Sequence, residues 1–151
     1  MSVVVLIRGV KSRPLYNQDD IVGELRERGI NDIRIVTIEE WVPYTDQVEN
    51  FAAADLVVSV HGSHLNNQVF MPEHGTLIEV FPVFYYHGEQ RIISKSTGVG
   101  HIELRNNEYP PVEYVKDPYH LRLLQTCKDA AADFPTPELC WQENGCRRYQ
   151  Y

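Results

Sequence analysis

Three residues of this chain have types and spacing that could do chemistry with a phosphorylated ligand. Gly62 and Ser63 follow directly on an apolar run, and Glu79 lies inside the next apolar run. Backbone N–H groups where a strand ends and a helix begins lack intrahelical partners, so they favour an anion such as phosphate. A carboxylate in an apolar strand needs hydrogen-bond donors, which a ribose diol at the strand's carboxyl end would supply. The sequence therefore predicts a site for phosphate and ribose groups.

Two apolar runs must position these residues. The first, Leu56 to Val60, is rich in β-branched residues, as expected for a strand covered on both faces, and the second is Leu77 to Phe81. The distance between them suits a helical crossover, so the pattern predicts a strand, a tight turn, a helix and a second strand. Within this unit, Glu79 has an alternative role as the partner of Arg8 in a buried ion pair.

The stretch from Ala54 to Pro82 also resembles a known family. It reads ADLVVSVHGSHLNNQVFMPEHGTLIEVFP, and it is similar to glycosyltransferase family 61, whose pattern joins Ala-Asp and a hydrophobic strand to HGAGLTN and ends in Glu-x-Phe-Pro. Members include protein O-linked GlcNAc transferases and plant xylosyltransferases. His64 stands where the family has a second glycine, and Asn66 stands where it has threonine.

The resemblance implies a fold and an activity. The expected fold is α/β, a Rossmann-like three-layer α/β/α domain with a mostly parallel sheet, corresponding to the carboxyl-terminal, donor-binding half of a GT-B glycosyltransferase. The expected reaction is inverting transfer of a sugar from a nucleotide sugar, UDP-linked, to a glycan or glycoprotein acceptor, with no metal and no other cofactor. The acceptor site and the base would come from an amino-terminal domain outside this chain, with His61 as the candidate base inside it. A eukaryotic member would work in the lumen of the Golgi or endoplasmic reticulum.

The resemblance also implies which residues bind the donor. Two arginines near the end of the first strand would contact the diphosphate through forked hydrogen bonds, although a solvated basic loop is the alternative. The loop after the third strand would offer helix-terminal donors, its asparagines would orient the loop or touch the donor, and the carboxylate would hold the ribose. The implied donor-binding residues are Arg8, Arg13, His61, Gly62, Ser63, His64, Asn66, Asn67 and Glu79.

Other classes of function fit less well. His61 and His64 are three residues apart, but no third and fourth ligand with zinc-like spacing accompanies them, so no metal site is predicted. Ser63 lacks the second glycine of a hydrolase elbow, and no Gly-x-Gly-x-x-Gly follows the first strand. The formal net charge of -7 argues against nucleic acid as a partner.

Alternating strands and helices run through most of the 151 residues. Apolar runs and helix-end signals predict five strands and four α-helices besides the crossover that ends near Met71. The predicted strands are Ser2–Ile7, Ile33–Ile38, Leu56–Val60, Leu77–Phe81 and His101–Leu104, and the predicted helices are Asn17–Arg28, Thr45–Ala53 with Thr45 as its cap, Gln90–Ser96 and Tyr119–Ala131.

This order predicts one domain over residues 1–133, with an irregular tail over 134–151 packed on it, and the family resemblance implies that the domain binds a nucleotide sugar. The tail region holds Cys140 and Cys146, which either form a disulfide, leaving Cys127 free, or stay reduced with it. Two hypotheses remain for the chain as a whole. It is a fragment of a longer transferase, or it is a stand-alone nucleotide-binding or interaction module without transferase activity.

Overall fold

The structure is a computed structural model that describes residues 1–8, 15, 17–38, 43–81, 86–105 and 125. Strands and helices alternate along the described part of the chain. The elements are β1 (Val3–Arg8), α1 (Gln18–Glu27), β2 (Ile33–Ile38), α2 (Tyr44–Ala52), β3 (Leu56–Val60), a 3₁₀ helix (Ser63–Phe70), β4 (Thr76–Val80), α3 (Glu89–Thr97) and β5 (Gly100–Leu104). We call the 3₁₀ helix the motif helix.

The five strands form one parallel sheet in the order β2-β1-β3-β4-β5. The predicted α/β fold is thus confirmed, and each of the five predicted strands begins and ends within one residue of its observed bounds. Continuous apolar runs made this possible, because both faces of a parallel sheet are covered and the strands carry few polar interruptions. The order reverses between β1 and β3, which is the topological switch point of an open α/β sheet.

Helices cover the two faces unequally. One face packs against α2 and the motif helix through a core that includes Leu6, Phe51 and Leu65. The other face packs against α1 through Val5 and Val22. Right-handed crossovers require this division, because the β1 to β2 connection runs across the sheet in one direction while all later connections run in the other. The result is a three-layer α/β/α arrangement.

The crossover after β3 is the element that differs most from expectation. It is a 3₁₀ helix of eight residues, which rises about 2.0 Å per residue and therefore spans about 16 Å, the length of a five-residue strand. An α-helix of eight residues would cover only about 12 Å. The tighter coil lets a short segment return along the whole strand.

Other predictions are corrected or lie outside the described residues. Thr45 does not cap α2; Pro43 precedes that helix, and the Thr45 hydroxyl lies 3.2 Å from an oxygen of Asp46. The predicted helix Tyr119–Ala131, the domain limit at 133 and the tail fall outside the described part, except that Gln125 is α-helical and exposed. Among the described residues, no helix has the length and apolar character to cross a bilayer.

Candidate functional site

His61, the first residue after β3, is fixed at the carboxyl edge of the sheet. Its backbone N–H donates to the Val80 carbonyl over 2.9 Å, which extends the β3–β4 pairing by one residue. Its Nδ1 lies 2.6 Å from Oε1 of Glu79, and its ring stacks on Phe81 with centroids 5.2 Å apart and planes at 20°. The first histidine of the family pattern and its closing Glu-x-Phe therefore meet in space as one unit.

Glu79 is fully buried, with 0% of the residue exposed. Its Oε1 binds His61, and its Oε2 lies 2.9 Å from Nε2 of His101 on the neighbouring strand. With the carboxylate ionised, both rings donate to it. Two histidines therefore already satisfy this carboxylate within the fold, and the ribose contact stays a prediction. The side chain of Arg8, the alternative partner, lies outside the described part.

The polar cluster continues across β5 to the edge of the sheet. The Glu103 carboxylate lies 4.0 Å from Nδ1 of His101 and accepts hydrogen bonds from Arg91 and Arg105, at 2.9 Å and 2.7 Å. Burial alone would raise the pKa of the Glu103 carboxyl, but the hydrogen bonds from the two arginines outweigh it and hold that pKa below its usual range. Arg105 in turn lies over the ring of Tyr86, 3.8 Å from its centroid.

His64, which replaces a glycine of the family pattern, reaches back into the sheet. Its Nε2 lies 2.9 Å from Oγ of Ser59 on β3, and the same hydroxyl lies 3.2 Å from the Leu6 carbonyl. A serine hydroxyl has one hydrogen, so both contacts are used when His64 donates and Ser59 donates onward to the carbonyl. The bulk at position 64 is thus accommodated by a polar contact within the fold.

The amides of the motif helix contact its neighbours on both sides. Asn66 accepts from the Gln90 side chain of α3 at 3.0 Å, and Asn67 donates to Gln47 of α2 at 3.3 Å. Buried Gln68 donates to Gln90 at 2.6 Å and accepts from the hydroxyl of Ser94. These contacts favour the alternative in which the two asparagines orient the loop.

The remaining predicted residues that the structure describes lie at the switch point. Leu6 pairs with Ser59 in the parallel register, and two residues later on each strand come Arg8 and His61, so the ends of β1 and β3 share one edge. Gly62 is buried in extended backbone and Ser63 is exposed at the start of the motif helix. Arg13 lies outside the described residues. The structure therefore brings the backbone of Arg8 and the Gly62–Ser63 turn to the same side of the domain.

A small cavity near the switch point and a larger groove farther away are formed by described residues. A cavity of about 10 Å³ between β1, α2 and His64 holds at most one water molecule. An open groove of about 460 Å³ runs between α3 and β5, with Arg91, Lys95 and Glu103 in its lining. That groove lies at the sheet edge, away from the switch point. No group of three or more metal-ligating side chains occurs in the described ranges, and independence from a metal stays a prediction.

His101 is the residue of this site that sequence reasoning missed. It stands 22 positions after Glu79 and outside the stretch that carries the family pattern. A signal was nevertheless present, because His101 and Glu103 alternate with apolar residues in the last predicted strand. The hydrogen bonds of Gln68 with Gln90 and Ser94 gave no such signal, because the spacing of residues along the chain does not show which helices pack against each other.

Comparisons with known proteins show which family this chain is similar to. The sequence profile described as Glycosyltransferase 61 matches residues 2–78. Rice (Oryza sativa subsp. japonica) alpha-1,3-arabinosyltransferase XAT3 is 31% identical over 83 residues, and the EGF domain-specific O-linked N-acetylglucosamine transferases of Drosophila melanogaster and Mus musculus are each 25% identical over 79 and 80 residues. Each match covers 52% of this chain but only 14 or 15% of the relative.

The fold is similar to that of CapF, whose crystal structure was solved with the inhibitor 3-isopropenyl-tropolone. The TM-score is 0.52 at 14% identity, over 86% of this chain and 37% of the other. This likeness concerns the Rossmann-like fold alone. The profile match, by contrast, takes in half of the sequence and includes β1, the switch point and the motif helix. On that ground, this chain belongs to glycosyltransferase family 61.

Proposed function

We propose that this chain is the donor-binding half of a GT-B glycosyltransferase, which transfers a sugar from a UDP-linked donor to a protein or glycan acceptor. The observation that carries the proposal is the reversal of strand order between β1 and β3, with the family's His-Gly loop at that point. Ligands of open α/β sheets bind in the crevice outside the carboxyl ends of the strands at such a reversal. The relatives, an arabinosyltransferase and two O-linked N-acetylglucosamine transferases, support the class of reaction.

The donor's diphosphate binds at the Gly62–Ser63 turn. The first N–H groups of the motif helix have no partner within that helix, and Ser63 at its start is exposed. Arg8 ends the adjacent strand and Arg13 comes five residues later in the sequence, and in this proposal their guanidinium groups supply the positive charge that a metal would otherwise bring. Neutralisation by helix-end amides and arginines is why we propose an inverting reaction that needs no metal.

The buried cluster holds this turn in place. Glu79 and His101 fix the ring of His61, and the ring with its backbone N–H anchors the chain just before Gly62. Because the His61 side chain is 8% exposed, we assign it to positioning, and the catalytic base to the half of the enzyme that binds the acceptor. Glu79 acts through His61, and the predicted ribose contact would require one of the two histidine bonds to open.

The activity belongs to a larger protein in this proposal. The aligned relatives are far longer, and this chain spans about a seventh of each. The acceptor site and the base therefore come from sequence outside the matched part, in an amino-terminal acceptor domain. A lumenal location in the Golgi or endoplasmic reticulum follows for a eukaryotic member of the family.

Calorimetric titration with UDP and with GDP, each with and without EDTA, tests the proposal. We expect UDP to bind, EDTA to leave the affinity unchanged, and GDP to bind more weakly. Arg8→Ala should weaken UDP binding by about 1.5–3 kcal/mol, or about 10- to 150-fold, because a charge-assisted hydrogen bond is lost. Arg34→Ala is the matched control, since Arg34 lies on β2 at the level of Val4, about 13 Å along the strand from the carboxyl edge.

If Arg8→Ala changes the affinity for UDP by no more than Arg34→Ala does, the nucleotide binds elsewhere. Binding that EDTA abolishes would overturn the metal-free mechanism while leaving the donor site in place. If neither nucleotide binds the folded chain, the alternative of an interaction module without transferase activity is favoured.

A further inference from the structure

His87 brings an exposed imidazole next to the buried histidine of the site. Its ring lies 6.0 Å from the ring of His61, centroid to centroid, with the two planes at 49°. The side chain of His61 is 8% exposed, whereas that of His87 is 47% exposed. His87 is therefore the imidazole of this pair that a ligand in solution can reach.

The order of strands places His87 on the opposite side of the Gly62–Ser63 turn from the end of β1. In the sheet, β3 lies between β1 and β4, and neighbouring strands are about 4.8 Å apart. The ring of His61 leans towards β4, where it contacts Glu79 and Phe81, and His87 lies against that ring. A ligand at the turn therefore has the end of β1 on one side and His87 on the other.

Contacts on both sides hold His87 in this position. The preceding residue, Tyr86, packs on Phe81 with ring centroids 5.3 Å apart, and Arg105 lies over the Tyr86 ring. On the other side, Nδ1 of His87 lies 3.6 Å from Oε2 of Glu89, in the first turn of α3. The carboxylate faces Nδ1, and no hydrogen bond from the described residues engages Nε2. Nε2 is thus the ring nitrogen that remains for a ligand.

We propose that His87 binds the terminal phosphate of the nucleotide-sugar donor, which is the phosphate that carries the sugar. The inference rests on the proposed function, because it takes the diphosphate to bind at the Gly62–Ser63 turn. In its protonated form, the His87 ring donates through Nε2–H, and a charged donor forms a strong hydrogen bond with a phosphate oxygen.

The same hydrogen bond would assist the transfer step. When the bond between the sugar and the terminal phosphate breaks, its electron pair stays on the phosphate oxygen. The acceptor oxygen forms the new bond to the sugar and gives its proton to the base of the other half. The Nε2–H group of His87 stabilises the charge that develops on the departing diphosphate.

The charges on the β4 side of the turn support this role. Glu79 is a buried carboxylate that binds two histidines, and Glu103 accepts from both Arg91 and Arg105. These side chains are engaged within the fold. In the described part of this side, His87 is therefore the exposed side chain next to the turn that can offer a positive N–H group to a diphosphate.

Titration calorimetry with UDP and with UMP tests the proposal, because UMP lacks the terminal phosphate. His87→Ala should weaken the binding of UDP about 10-fold, since one hydrogen bond to a charged group is lost. The affinity for UMP should stay as in the parent. His74→Ala is the matched control and should change neither affinity, because His74 is exposed and lies just before β4, at the opposite edge of the sheet.

The outcomes separate this inference from the proposed function. If the parent binds UDP and His87→Ala binds it as tightly as His74→Ala does, the inference is wrong and the donor site stands. If His87→Ala weakens UMP as much as UDP, the inference is also wrong, because His87 would then not act on the terminal phosphate. If the parent binds no UDP, the proposed function and this inference fail together.

NMR of the histidine rings gives a direct measure of the contact. The ¹⁵N signals of the His87 ring are those that disappear from the spectrum of His87→Ala. They should shift when UDP is added and stay in place when UMP is added. Signals that do not respond to bound UDP would contradict the contact, whatever the affinities of the variants.

Discussion

Replacing Glu79 with glutamine removes one charge from the buried cluster while keeping its shape. The amide oxygen can still accept from one histidine, but the NH₂ group then faces the ring nitrogen of the other, 2.6 Å or 2.9 Å away. One charge-assisted hydrogen bond is replaced by a neutral one, because the histidine that faces the NH₂ group must take the tautomer whose ring nitrogen accepts from it. We therefore expect Glu79→Gln to lower the free energy of unfolding by about 1.5–3 kcal/mol, the contribution of a hydrogen bond to a charged group.

Urea unfolding at neutral pH measures this effect, with Glu24→Gln as the matched control. Glu24 on α1 pairs with Arg28, the residue that follows this helix, and the two side chains are 57% and 71% exposed. An exposed pair four residues apart on a helix contributes only about 0.3–0.5 kcal/mol. If Glu79→Gln costs less than about 1 kcal/mol, or no more than its control, the cluster does not anchor the turn as argued.

Two further predictions concern the backbone and the acid range. Gly98→Ala should cost about 1–2 kcal/mol in thermal unfolding, because Gly98 has φ of +77°. Gly23→Ala, in open space on α1, should instead stabilise the protein by about 0.5–1 kcal/mol. Equal effects of the two substitutions would contradict the role given to the positive φ of Gly98. The pKa of Glu103 is lowered in the folded protein, so its contribution is complete above the unfolded value of about 4.5 and is lost as the pH falls through the folded value. Urea unfolding at several pH values below about 4.5 should then show that the free energy of unfolding falls less steeply with falling pH for Glu103→Gln than for the parent. Identical slopes for the two proteins would contradict the lowered pKa of Glu103.

Most of the fold could be predicted from local pattern. Each strand is a short apolar run bounded by polar or turn residues, and α1 ends before Gly29, which adopts φ of +82°. Such signals act within a few residues of the chain and survive in the folded state. The spacing of the two apolar runs also placed Gly62 and Ser63 where a strand ends and a helix begins, and the structure has Gly62 directly before the motif helix and Ser63 as its first residue.

The partners of the polar side chains could not be predicted in the same way. Glu79 meets His61 across 18 residues and His101 across 22, and both contacts depend on the register of neighbouring strands. Sequence reasoning weighed the cost of a buried carboxylate correctly but did not consider histidine partners, because donors from a ligand and from a histidine satisfy it equally well. The 3₁₀ form of the motif helix was missed because apolar spacing over eight residues does not separate it from an α-helix.

The polar row across the sheet has a consequence for how the strands align. Ser59, Glu79 and Glu103 occupy the same level on β3, β4 and β5, opposite Leu6 of β1. Apolar residues alone would tolerate a slip of two positions, since every side chain would keep its face. Such a slip would move Glu79 away from both histidines and leave a bare charge inside the protein, which is far more costly than a misplaced valine. The cluster thus favours one register of these strands over the registers that are shifted by two residues.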